Sequence, residues 1–256
     1  MYIARKSLGQ HFLTDQFVVQ QIVQAIAPQP EQAYVEIGPG LGALTRLVLP
    51  LARKLTVIEY DKHIIPLLEQ NCAGLGELII QQGDVLDVDF TELAQGRSLF
   101  VFGNLPYNIS TPILFHVLEH VSVIQQMVFM LQQEVVERMV AKPHNKDYGR
   151  LSVMIQYYCE TQQLFTVPPN AFNPPPKVNS AVVRLIPRDK AALERINITV
   201  FAEIVKYAFQ QRRKTIRNSL KNIINDDMFT AANIDPQARA ENLSVEDYIK
   251  LANLRK

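Results

Sequence analysis

The tetrapeptide Asn104-Leu105-Pro106-Tyr107 puts a side-chain amide, a proline and an aromatic ring at one point of the chain. An amide offers a carbonyl acceptor and two N–H donors, a proline leaves its neighbours' carbonyls unpaired by local structure, and a tyrosine presents a flat face. An exocyclic amine on a purine calls for a stacking surface for its ring and two acceptors for its hydrogens. With those hydrogens on the Asn104 side-chain oxygen and the Leu105 carbonyl, the nitrogen lone pair is drawn out of ring conjugation, and the amine becomes a nucleophile without a general base. The same residues also read as an ordinary strand-to-helix turn, since Asn, Pro and Ser are common there and Ser110 can cap the helix that follows. The surrounding chain separates the two readings.

Leu99-Phe100-Val101-Phe102 has the length and composition of a buried parallel strand. Asn104 therefore falls at the strand's carboxyl end, where open α/β sheets bind ligands. Residues 33–37 read as an earlier core strand, followed by Gly38-Pro39-Gly40-Leu41-Gly42 and an apolar-faced helix carrying Leu44, Leu47, Val48 and Leu51. In a strand, glycine turn and helix, the glycines let the backbone approach a ligand and the helix points free N–H groups at it. Glu59 closes the next strand, 54–58, where a carboxylate can take both hydroxyls of a ribose. Asp84 follows a third strand, 78–82, placed either to receive the exocyclic amine of an adenine or simply to make a turn. Because Gly38, Gly40 and Ala43 also satisfy the dinucleotide pattern, the turn indicates a nucleoside cofactor without saying which.

Residues 5–13 are polar and basic, with Gly9 and His11, and lead into a helix over 15–27 capped by Thr14-Asp15. Further helices are expected over 63–71, 110–120, 134–141 and 150–158, and strands over 126–131, 163–167 and 181–186, the last two as an antiparallel pair. Residues 142–147 read as a polar, mobile loop. The segment Phe172-Asn173-Pro174-Pro175-Pro176-Lys177-Val178 is too proline-rich for helix or central strand; Phe172 is a candidate second stacking face. Beyond Pro187 only helices are expected, over 198–210, 212–225, 228–233 and 244–254. The domain boundary is therefore drawn between 1–187 and 188–256. The fold class is α/β, a Rossmann-like sheet with a small all-α C-terminal domain.

Hydrophobic residues make up 48% and charged residues 20% of the chain, and no apolar run reaches the length of a membrane span. The start lacks the apolar stretch of a signal peptide, and Cys72 and Cys159 read as small core residues, so a reducing cytoplasm is expected. The net charge of +1 predicts no polyanion by itself. Between Lys206 and Lys221, however, Arg212, Arg213, Lys214 and Arg217 stand with no acidic residue among them, as on a solvated helix face or a phosphate-binding surface. The five histidines show no metal-ligand spacing, and no metal is expected.

Taken together, LGQHFL at 8–13, EIGPGLGALT at 36–45, Glu59, GDVLD at 83–87, GNLPYNIS at 103–110 and FNPPPKVNS at 172–180 resemble the ribosomal RNA small-subunit adenine N6,N6-dimethyltransferases along effectively the whole chain. More loosely they resemble the macrolide-resistance methyltransferases of large-subunit RNA. The resemblance implies a class I methyltransferase sheet and S-adenosyl-L-methionine as cofactor, held by His11, Leu13, Gly38, Glu59, Asp84 and Asn104, with Gly40 in the same turn; His11 stands where many relatives have Asn. It implies that Asn104, Leu105, Pro106 and Tyr107 carry catalysis, that Tyr107 and Phe172 sandwich the target adenine, and that Arg212, Arg213, Lys214 and Arg217 hold RNA phosphates. The implied reaction is transfer of two methyl groups to each of two adjacent adenosines in the loop of the 3′-terminal helix of small-subunit rRNA. The implied substrate is an immature small subunit, met late in its assembly by a monomeric cytoplasmic enzyme. Three alternatives stay open: an assembly factor that mainly occupies the immature subunit, a large-subunit target and, least supported, an NAD-linked enzyme.

Overall fold

The structure, a computed structural model, describes residue 5, residues 8–193 and residues 196–255, so part of the basic 5–13 segment lies outside the described residues. In chain order the strands are β1 (Phe12–Leu13), β2 (Ala33–Ile37), β3 (Lys54–Glu59), β4 (Glu77–Gln82), β5 (Leu99–Asn104), β6 (Ile124–Gln132), β7 (Cys159–Val167), β8 (Phe172–Asn173) and β9 (Ser180–Pro187). The helices are α1 (Gln16–Ile26), α2 (Thr45–Ala52), α3 (Ile65–Cys72), α4 (Phe90–Ala94), α5 (Ser110–Glu119), α6 (Gln133–Val140), α7 (Arg150–Tyr158), α8 (Lys190–Leu193), α9 (Ile198–Gln210), α10 (Ile216–Leu220), α11 (Asp226–Ala232) and α12 (Val245–Leu254).

Seven strands form one sheet in the order β4-β3-β2-β5-β6-β9-β7. The pairs β4–β3, β3–β2, β2–β5 and β5–β6 are parallel, and β9 runs antiparallel to β6. Tyr34, Val35 and Ile37 of β2 and Leu99, Phe100, Val101 and Phe102 of β5 are all buried, as strands covered on both faces must be. The register pairs Ile37 with Ile58, Glu36 with Phe102 and Glu59 with Gln82. Those pairings bring Gly38, Glu59, Asp84 and Asn104 to one carboxyl edge. Gly103 is required for this: a Cβ there would overlap the Ile37 carbonyl oxygen, so only glycine lets the end of β5 lie so close to β2.

A second, two-stranded antiparallel sheet pairs β1 with β8, Phe12 opposite Asn173 and Leu13 opposite Phe172. The Thr14 and Asp15 N–H groups both donate to the Ala171 carbonyl, after which Asp15 caps α1 by accepting from Phe17 and Val18. Neither β1 nor β8 was expected from the sequence, because each is two residues long and defined only by its distant partner.

The chain forms two compact units, one running to Val136 and resuming over Gln162–Pro187, the other comprising Glu137–Thr161 and the described residues from Arg188 on. The single cut at 187 is thereby corrected. Residues 137–161 belong with the C-terminal helices because α7 packs on α9: the Tyr157 and Phe201 rings lie 4.7 Å apart, and the Tyr157 hydroxyl donates to the Leu193 carbonyl. Within that unit the expected helix over 212–225 is only α10. Its preceding basic residues form a turn, since the Ile216 and Arg217 N–H groups donate to Ala238 and Pro236 rather than back along a helix. The 142–147 loop makes contacts within that unit: the His144 N–H donates to the Glu241 carbonyl and the Arg212 guanidinium donates to the carbonyls of Lys146 and Tyr148. No helix among the described residues is long and apolar enough to cross a membrane.

Candidate active site

At the carboxyl edge of the sheet, within the first unit, lies a cavity of about 360 Å³. Its wall includes Gly38 and Gly40 of the glycine turn, Glu59, Asp84, the whole Asn104–Tyr107 tetrapeptide, and His11 and Leu13 of the N-terminal segment. Sequence reasoning named all of these. Gly40 adopts φ 55°, and a Cβ on it would come within 3.1 Å of the Phe12 ring. The turn thus leaves its backbone open to the cavity at a place where any side chain would collide with the N-terminal segment.

Glu59 is 6% exposed and fixed through both oxygens: Oε2 accepts from the Gly40 N–H at 3.1 Å and Oε1 from the Asp61 N–H at 2.8 Å. Burial raises its pKa, and these N–H groups oppose the rise. Asp84 uses Oδ1 to accept from the Leu86 N–H, which makes it a turn residue and a wall of the cavity at once.

Asn104 holds the most informative atoms. Its Nδ2 donates to the His11 carbonyl at 3.0 Å, while its Oδ1 is buried and accepts from no group among the described residues. A buried acceptor without a donor is costly and rare. Tyr107 donates to, or accepts from, the Ser180 hydroxyl, and burial raises the pKa of its phenol. The Leu105 side chain is buried, and its N–H donates to the Met130 carbonyl. Ser110 is not the helix cap: its hydroxyl donates to the Tyr107 carbonyl.

Phe172 is not brought to the cavity. It is 4% exposed and belongs to the apolar core with Leu13, Val18 and Ala171, because β8 pairs it with β1 and buries it. In the second unit, the four basic residues named from the sequence divide. Arg212 is committed to Glu241 and to the two loop carbonyls, and Arg217 pairs with Asp226. Arg213 and Lys214 are exposed and have no ion-pair partner among the described residues.

Two features were missed. Glu36, in the middle of the apolar β2, is 2% exposed, lines the cavity and accepts from the Thr45 hydroxyl at 2.7 Å. Burial lifts its pKa from 4.5 to about 8, with the neighbouring Glu59 charge adding to the rise; a charged residue inside a buried strand was the available signal. Asp61, 3% exposed, accepts from Gln10 Nε2 at 3.2 Å and faces Arg5 at 3.6 Å, so it latches the N-terminal segment beside the cavity. No cluster of potential metal ligands occurs among the described residues.

An adenosyl group fits this donor set: a fixed carboxylate, an open glycine backbone, a second carboxylate one strand further and an amide oxygen without a partner among the described residues. With the strand order above, the fold and site define a class I S-adenosylmethionine-dependent methyltransferase. The family model described as ribosomal RNA adenine dimethylase matches residues 1–256, and the chain belongs to that family. It is 55% identical over 254 residues to ribosomal RNA small subunit methyltransferase A of Xanthomonas campestris pv. campestris (strain B100), covering 98% of this chain and 96% of the relative. The protein of the same name from Xanthomonas oryzae pv. oryzae (strain PXO99A) matches equally well, again 55% identical over 98% of this chain and 96% of the relative. Among solved structures, a dimethyladenosine transferase from Plasmodium falciparum superposes with TM-score 0.83 at 26% identity, covering 94% of this chain and 96% of that one. The 23S rRNA methyltransferase ErmE superposes with TM-score 0.73 at 25% identity, covering 95% and 99%.

Proposed function

We propose that this methyltransferase dimethylates N6 of two adjacent adenosines in the loop of the 3′-terminal helix of small-subunit rRNA, acting as a cytoplasmic monomer on an immature subunit late in assembly. The observation that carries the chemical part is the Asn104 amide beside the cavity: Nδ2 is held by the His11 carbonyl, and the buried Oδ1 has no partner among the described residues. The small subunit is favoured over the large by the 55% identity to proteins named for it, against 25% to the large-subunit enzyme.

In this reading Glu59 holds the cofactor ribose, Asp84 accepts the adenine amine, and the Gly38–Gly40 backbone, with His11 and Leu13 across the cavity, encloses the remainder. S-adenosylmethionine, when bound, supplies an electrophilic methyl on a sulfonium. Asn104 Oδ1 and the Leu105 carbonyl accept the two N6 hydrogens of the target adenine and turn the nitrogen lone pair toward that methyl. Tyr107 carries the base on its ring, the phenol kept neutral by burial and its plane fixed by Ser180, as in enzymes that lift a base from its stack. Because both acceptors are preorganised, they stabilise the charge that develops on nitrogen without moving. Arg213 and Lys214 contact phosphates.

The test is incubation of the protein with radiolabelled S-adenosylmethionine and, separately, undermethylated small subunits, large subunits and naked small-subunit rRNA, followed by nucleoside analysis. Dimethyladenosine from small subunits alone is expected; label in large-subunit RNA would refute the assigned target.

A further inference from the structure

Glu36 is a buried acid that the chemistry set out above does not use. It belongs to β2, is 2% exposed, lines the cavity and accepts from the Thr45 hydroxyl at 2.7 Å. The groups that act on it from the packed elements are Thr45 of α2, Glu59 of β3 and Cys72 of α3, none of them a cation. The cavity lining as a whole has three carboxylates, Glu36, Glu59 and Asp84, and no lysine or arginine among the described residues. Glu59 is compensated by backbone N–H groups and Asp84 by the Leu86 N–H, whereas Glu36 has a neutral hydroxyl. Burying a charge without a partner is costly, so such a carboxyl keeps its proton, in line with a pKa lifted to about 8.

What the lining lacks, a cationic ligand supplies. S-adenosylmethionine carries a sulfonium. Methyl transfer forms the N6–carbon bond, breaks the carbon–sulfur bond and returns its electron pair to sulfur, while a proton leaves N6 for solvent; the sulfur of the product, S-adenosylhomocysteine, is neutral. We propose that Glu36 reads this difference: it gives up its proton to solvent when the cavity holds the cationic cofactor and keeps it when the cavity holds the product, so that the charged form is bound in preference to the spent one. The inference rests on the reading that this cavity holds the cofactor, and it makes Glu36 a residue that determines specificity between cofactor and product. Linkage fixes the sign. A ligand that favours the ionised carboxylate lowers its pKa, so between that lowered value and the pKa of the empty cavity its binding releases a proton and tightens as pH rises. A neutral ligand leaves the proton in place.

The test is titration calorimetry of S-adenosylmethionine and S-adenosylhomocysteine into the native protein, Glu36→Gln and Thr45→Val, in buffers of different ionisation heat, which counts the protons released. For the native protein, S-adenosylmethionine affinity is expected to rise about 5- to 10-fold between about pH 6 and 8, one unit of pKa lowering being tenfold, with a proton released on binding near neutral pH. S-adenosylhomocysteine affinity should move less than about twofold over the same range, as expected for a ligand that leaves the carboxyl protonated. Gln is isosteric with the protonated acid and cannot ionise. Glu36→Gln should therefore lose the released proton and the rise, bind S-adenosylmethionine about 5- to 10-fold more weakly at about pH 8, and bind S-adenosylhomocysteine within about twofold of the native protein. The amino group of the ligand titrates alike in native protein and variant, so the difference between them isolates Glu36. Thr45→Val removes the hydroxyl that favours the charged form and should displace the rise to higher pH; it decides the matter if melting shows that Glu36→Gln does not fold. The same pH profile in native protein and Glu36→Gln would overturn the proposal, as would an equal loss of affinity for both ligands. Binding of neither ligand by the folded native protein would instead refute the reading of the cavity, which keeps the two failures apart.

Discussion

One amide decides how the site can work. An asparagine side chain can point either end at a ligand, and which end is set by what holds the other. Here the His11 carbonyl can accept only an N–H, so Oδ1 is the end left without a partner among the described residues, on a side chain that lines the cavity. Asn104→Ala removes that acceptor from the transition state. Turnover should fall by about 10²–10³, with RNA binding little changed, as single-turnover kinetics and filter binding would check; an unchanged turnover would contradict the role given to Asn104. Glu36 carries a different prediction. Its folded pKa of about 8 stands above the 4.5 of the free side chain, so near neutral pH the folded protein keeps a proton that the unfolded chain has lost. Its contribution to stability is full below pH 4.5 and is lost as pH rises to about 8. Glu36→Gln cannot titrate. The difference in melting temperature between native protein and variant should therefore shift in the variant's favour between pH 5 and 8, measured by thermal unfolding across that range.

Elements place these residues through a few close approaches, and Gly103 is the tightest of them. Gly103→Ala drives a methyl into the Ile37 carbonyl, so β5 must shift away from β2 and carry Asn104 with it. The variant is expected to lose stability and, when folded, to lose kcat more than cofactor affinity, as melting and equilibrium dialysis would show. The sequence made the parallel strands and the glycine turn plain, because apolar runs and glycines act within a few residues of themselves. Neither β1 nor β8 was legible, since two-residue strands exist only by pairing across roughly 160 positions of chain. That hidden pairing also explains why Phe172, an aromatic in a proline-rich segment, reads as a stacking face but is buried in the core. The 212–225 helix failed for a related reason: the N–H groups of residues 216 and 217 found acceptors in the 236–238 segment, a tertiary partner that periodicity does not register.

For the molecule as a whole, a net charge of +1 leaves no general attraction for RNA, so binding must draw on local groups whose charge is not already spent. Arg212 and Arg213 are adjacent in sequence and opposite in this respect. Arg212 holds Glu241 and two loop carbonyls, so Arg212→Ala should lower the stability of the folded protein by about 1–2 kcal/mol, with the loss seen in chemical denaturation. Arg213 and Lys214 are exposed without ion-pair partners among the described residues, and replacing both with alanine should leave melting and S-adenosylmethionine affinity as they were. What should change is the salt dependence of binding to small subunits. Removing one cation from a phosphate lowers the slope of log K against log salt by about 0.7–0.9, so the double variant is expected to show a slope shallower by about 1.5. A weakened but equally steep dependence would mean that these two residues act on structure, and that the phosphate-binding charge lies elsewhere on the chain.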